Sequence, residues 1–172
     1  MPLRLFHISE QPGIELFEPR PSPSVFEQIE DDVVFAISDR LLHNYLLPRE
    51  CPRVTYYASA NTSAADKAKF WGSSNAHYII TVERAWYQRV ADTTLYCYEF
   101  PTDNFTIIDE CAGYYVSYLS VEPIAERVIS NPITEILKGN VELRFTPNLK
   151  ELAAAVANST LNFSLIRMRN AL

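Results

Sequence analysis

The chain has 172 residues, 48% apolar and 21% charged, an ordinary globular makeup with enough length to bury a core. Its 15 basic and 21 acidic side chains leave a formal net charge of −6, which speaks against a broad phosphate-binding surface and so against a nucleic-acid partner. No basic stretch followed by a continuous apolar run opens the sequence and no run reaches membrane-span length, so a cytoplasmic protein without membrane contact is expected.

The first predicted strand covers residues 3–9 and carries His7 and Ser9. Residues 10–24, with four prolines and one glycine, read as an irregular excursion tacked down by Ile14, Leu16 and Phe17. A second strand at 33–37 runs into a helix capped by Ser38 or Asp39, with Leu41, Leu42, Tyr45 and Leu46 on one side and Pro48 as its stop. Strands are predicted at 54–58, 77–82, 94–100, 105–108 and 114–117, and a last one at 141–145. Helical segments are predicted at 64–70, 83–90, within 124–137 with an interruption near Pro132, at 149–156, and at 159–168. Strand-rich order with unevenly inserted helices lacks the beat of a doubly wound sheet. The expectation is a single α+β domain with a mixed, mainly antiparallel sheet and peripheral helices.

Chemistry-bearing residues are sparse. His7 and Ser9 alternate with Phe6 and Ile8, so they share a strand face and fit hydrogen bonding to a ribose or a phosphate; a quiet structural network fits them too. Arg49 and Arg53 flank Cys51 in a segment held stiff by Pro48 and Pro52, and a guanidinium fork suits a carboxylate or phosphate ligand. Two neighbouring arginines also suggest a lowered Cys51 pKa. Glu122, biased toward extended backbone by Pro123, is a candidate base or ribose ligand, with Glu110 as its competitor. Cys51, Cys97 and Cys111 form no close pair, and with three scattered histidines they give no metal-ligand spacing, so reduced thiols and no metal site are expected.

The runs LFHISE at 5–10, NYLLPRECPRV at 44–54, CAGYYVS at 111–117 and the tail through RMRNA at 167–171 resemble a small bacterial family of uncharacterised proteins across nearly the whole chain. That resemblance brings no activity. More faintly, a strand with His7 and Ser9, a strand leading to Tyr45 and a later Glu122 are similar to the ADP-ribosyltransferase-like fold. The resemblance implies NAD as cofactor, with His7 orienting ribose, Tyr45 stacking on nicotinamide and Glu122 supporting an oxocarbenium-like transition state. It departs in two places: Tyr45 falls on the predicted helix instead of the strand, and Ser120 stands two residues before Glu122 where an acid or glutamine belongs. Two functions stay open, a nucleotide- or small-ligand-binding protein of regulatory role and an NAD-using transferase acting on an unidentified acceptor.

Overall fold

Strands dominate the computed structural model, which describes residues 1–172. In chain order the elements are β1 (Leu5–Ser9), β2 (Val34–Ser38), a 3-10 stretch (Asp39–Tyr45), β3 (Arg53–Tyr57), α1 (Ala64–Trp71), β4 (Tyr78–Glu83), a 3-10 turn (Arg84–Trp86) and α2 (Tyr87–Asp92). They continue with β5 (Leu95–Phe100), β6 (Thr106–Asp109), β7 (Tyr114–Ser117), β8 (Ala125–Ile129), α3 (Pro132–Leu137), β9 (Val141–Thr146), α4 (Lys150–Ala157), β10 (Asn162–Ile166) and a closing 3-10 turn (Met168–Asn170). The class is α+β with mixed, mainly antiparallel pairing, as predicted. No helix is long and apolar enough to cross a membrane.

The strands divide between two compact units, each built from two chain segments. Met1–Tyr45 and Thr94–Ser130 make the first, Leu46–Thr93 and Asn131–Leu172 the second.

The first unit holds a six-stranded sheet in the order β6-β7-β2-β1-β5-β8, antiparallel at every pairing. Alternation puts Leu5, Val34, Ala36, Tyr98 and Phe100 on one covered face, with Val121 against them. The Pro-rich excursion is tacked down by backbone bridges Phe17↔Val121 and Arg20↔Val33 and by Ile14 and Phe17 packing on that core. Leu16, expected to help, is 47% exposed. Gly113 lies at φ +70°, where a Cβ would meet Ser38 Oγ at 2.5 Å, so the turn into β7 requires glycine. The predicted helix after β2 is a 3-10 stretch. Its three-residue turn stacks Leu41 and Asn44, and both are buried.

The second unit holds a four-stranded sheet, β10-β3-β4-β9, antiparallel except for the parallel β4–β9 pair. Val54, Tyr56 and Ile79 of that sheet pack with Phe70 and Trp71 of α1 and with Ala153 and Val156 of α4. Ser63 caps α1, its Oγ accepting from Asp66 N at 3.1 Å.

Of the helix predicted within 124–137, the part after Pro132 is α3 and the part before it is a strand, and the helix predicted at 159–168 is a strand too. Residues 125–129 carry helix-forming Ala, Glu and Arg, yet they hydrogen-bond to β5 as an edge strand with four of five side chains exposed, so backbone pairing outweighs propensity. Residues 162–166 look helical because Leu161 and Leu165 stand four apart. The chain instead covers the open edge of β3, with Leu161 buried and Leu165 at 37% exposure.

Candidate functional site

His7 lies on β1 where the strand parts from β2. The β1–β2 ladder runs through Leu5↔Ser38 and Phe6↔Ile37. One residue on, His7 Nδ1 stands 3.0 Å from the carbonyl oxygen of Phe35. A carbonyl only accepts, so Nδ1 carries the proton, and the imidazole extends the strand contact where the backbone ladder stops. The half-buried ring sits on Phe17, with centroids 5.0 Å apart, and on Phe100 at 6.0 Å. Ser9 Oγ accepts the amide of Gln11 at 3.0 Å and fixes the turn that leaves β1.

Tyr45 ends the 3-10 stretch and belongs to an aromatic cluster with Tyr114. Its hydroxyl donates to the Tyr114 hydroxyl at 2.5 Å, and their rings meet edge to face at 6.1 Å. Phe26 and Phe35 pack on Tyr114 in turn.

Glu122 follows Val121, whose backbone pairs with Phe17. It is exposed and lines a shallow cleft of about 570 Å³ with Leu16, Asp103, Asn104, Ser120 and Ile124 among its neighbours. Asn104 adopts φ +66° in the turn between β5 and β6, which lets the chain double back toward the cleft. Glu110 lies outside this cleft; its carbonyl oxygen accepts from Arg40 Nη2 at 2.8 Å. His7, Ser9 and Tyr45 are not among the cleft's lining residues either. The sequence singles out neither Asp103 nor Asn104, and it marks Ser120 only as a departure from the ADP-ribosyltransferase-like pattern. The run Pro101-Thr102-Asp103-Asn104 does signal a turn, but nothing in it signals that the turn faces Glu122. A second shallow cleft of about 760 Å³ lies between Pro19, Pro21, Ile29, Tyr118 and the acidic run Glu30, Asp31, Asp32.

Arg49 and Arg53 belong to the second unit. Arg49 is exposed. Arg53 is 1% exposed, and its Nε donates to Cys51 O at 2.9 Å while Nη2 donates to Pro48 O at 2.9 Å and Arg49 O at 3.4 Å. The fork expected to hold a ligand anion is wrapped in carbonyl oxygens of its own loop. The expectation for Cys51 is overturned: burial pushes its thiol up to about 11, and the charge of Arg53 only partly offsets that. A buried, protonated thiol is not a nucleophile. No group of three His, Cys, Asp or Glu side chains is placed to hold a metal ion.

The family described as a family of unknown function (DUF6886) matches residues 6–171. No curated protein matches the chain. No solved structure matches it either, so nothing links it to the ADP-ribosyltransferase-like fold beyond the sequence resemblance.

Proposed function

The chain belongs to this family of unknown function, and from that premise we propose that it is a cytoplasmic, regulatory binding protein whose ligand is a nucleoside or similar hydroxyl-rich small molecule held beside Glu122. The observation that carries the reading is the makeup of the Glu122 cleft. Glu122 and Asp103 supply carboxylates that accept from paired sugar hydroxyls, Ser120 and Asn104 add hydrogen-bonding groups, and Leu16 and Ile124 offer an apolar wall. Binding without turnover is favoured because the imidazole of His7 and the hydroxyl of Tyr45 are engaged with Phe35 and Tyr114. Calorimetry with adenosine, ADP-ribose and NAD tests it. Glu122→Gln is expected to weaken binding about 10-fold by removing a charge-assisted hydrogen bond. His7→Ala is expected to lower the melting temperature and leave affinity unchanged. No binding of any of the three, or full affinity in Glu122→Gln, sinks the proposal.

One observation favours the second reading, an NAD-using transferase. The Phe17 ring sits on His7 while the Phe17 backbone pairs with Val121, next to Glu122, so one residue ties the two candidate groups together. In that case the purified protein consumes NAD in the presence of an acceptor. Glu122→Gln then nearly abolishes turnover while keeping NAD affinity, since a carboxylate stabilises developing positive charge better than an amide. His7→Ala harms affinity and rate together. The absence of NAD consumption with protein, nucleic-acid and small-molecule acceptors rejects this reading.

A further inference from the structure

Glu83 ends β4 with its side chain fully buried, and Thr81, two residues earlier on the same strand face, is 2% exposed. Oε1 of Glu83 accepts two amides, Leu149 N at 3.2 Å and Leu172 N at 2.9 Å. Oε2 of Glu83 and Oγ1 of Thr81 have no hydrogen-bond partner in the protein. Around Thr81 the surroundings are apolar, while Cys51 lies within electrostatic range of both the Glu83 carboxylate and the Arg53 guanidinium. Val54, opposite Thr81 on β3, and Ile79, two residues before it, belong to the unit's core, and Met168 and Ala171 pack against that core.

A desolvated acceptor without a donor is costly, and a carboxylate oxygen more so than a neutral one. Two such atoms on one strand face ask for a single guest that donates more than one hydrogen bond. A guest that also carries positive charge meets both needs of the carboxylate. A divalent ion does not fit, because calcium takes six to eight oxygen ligands and magnesium a near-ideal octahedron. We propose that Thr81 and Glu83 form a buried site for one small protonated amine, of ammonium or methylammonium size, roofed by residues 168–172. The amide of Leu172 on Oε1 holds that roof, together with Asn170 Nδ2, which donates to Glu50 O at 2.7 Å and Glu50 Oε2 at 3.0 Å.

The test is thermal unfolding of the intact protein in ammonium, methylammonium, sodium and tetramethylammonium chlorides at equal ionic strength. The first two are expected to raise Tm saturably, by about 5–10 °C at 100-fold over the dissociation constant, and the last two not to. Glu83→Gln should remove the effect and Thr81→Val should shift half-saturation to higher concentration. Should Glu83→Gln fail to fold, 15N-ammonium added to the wild-type protein supplies the readout. Protons of a sequestered ammonium exchange slowly with water and give a resolved bound signal. Equal Tm curves in all four salts, an ammonium effect that survives in Glu83→Gln, or no bound ammonium signal at saturating salt overturns the proposal.

Discussion

Tyr98, on β5 of the first unit's sheet, and Arg53, on the second unit's β3, are 0% and 1% exposed, and each holds a loop in place. The Tyr98 hydroxyl accepts from Ile14 N at 3.1 Å and donates to Gln11 O at 2.7 Å. The Arg53 guanidinium donates to three carbonyl oxygens, of Pro48, Arg49 and Cys51. The choice follows from what each loop presents. A turn that offers one donor and one acceptor is matched by a neutral hydroxyl, which does both. A loop with prolines at 48 and 52 offers carbonyl oxygens, and only a group that donates several times satisfies them. The first unit therefore keeps its interior neutral, while the second accepts charge inside. His43 follows the first unit's rule: burial, with the charge of Arg40 adding to it, lowers its pKa from 6.5 to about 4.

The largest effect should come from removing the buried charge. Arg53→Met keeps the stem but strands the loop carbonyls, and a loss of about 3–5 kcal/mol is expected in urea titration. A loss below 1 kcal/mol would mean the loop holds without its cation. Next is acid sensitivity in the first unit. Unfolding lets His43 bind a proton below pH 6.5 that the folded state refuses until about 4. Stability is therefore highest above 6.5 and falls as pH drops toward 4, by on the order of 3 kcal/mol. His43→Leu should flatten that part of the pH–stability curve, and an unchanged slope would break the contrast. Tyr98→Phe is smaller, about 1–2 kcal/mol, with faster hydrogen exchange confined to the amides around residues 11–14.

The smallest effect lies at Glu50, whose carboxyl is held below its ordinary range by the Asn170 hydrogen bond first, then by Arg167 and Arg169. Its contribution is present above the ordinary carboxylate range and is lost as pH falls through the lowered pKa. Amides of residues 167–172 should thus gain exchange at a lower pH than that at which His43 begins to loosen the first unit. Loosening of both regions in one pH window would remove the distinction.

Much of this was legible in the sequence and the rest was not, for physical reasons. Strands with strong β-formers, such as VTYY at 54–57 and LYCYEF at 95–100, announced themselves because both propensity and burial favour them. The edge strands β8 and β10 did not, whereas β6 and β9, also at edges, did; residues 125–129 carry the helix-formers Ala, Glu and Arg, and only the neighbouring strand they cover makes them pair. Alternation predicts that His7 and Ser9 share a strand face, but it says nothing of what that face meets. Phe35 O, which receives His7, lies 28 residues away. Glu122 was found through its proline, whereas Asp103 reaches the same cleft through the fold of a turn. Glu83 was missed because a glutamate at a strand end normally points to water, and only the tertiary fold buries it.

The interleaving of the two units has a consequence for synthesis. The ribosome completes every segment of the first unit once residue 130 has emerged, but of the second unit's four strands it has then made, along with α1 and α2, only β3 and β4. In the finished sheet those two are the inner strands, with β10 on one flank and β9 on the other. While residues 131–166 are still being added, the nascent chain thus carries a strand pair whose β4 rim stays open until β9 is made at residue 146 and whose β3 rim stays open until β10 is made at residue 166, and open rims recruit strands from other chains. Slow elongation over that stretch is the moment at which this protein is most exposed to misassembly, and a chaperone that shields β3 and β4 would act there.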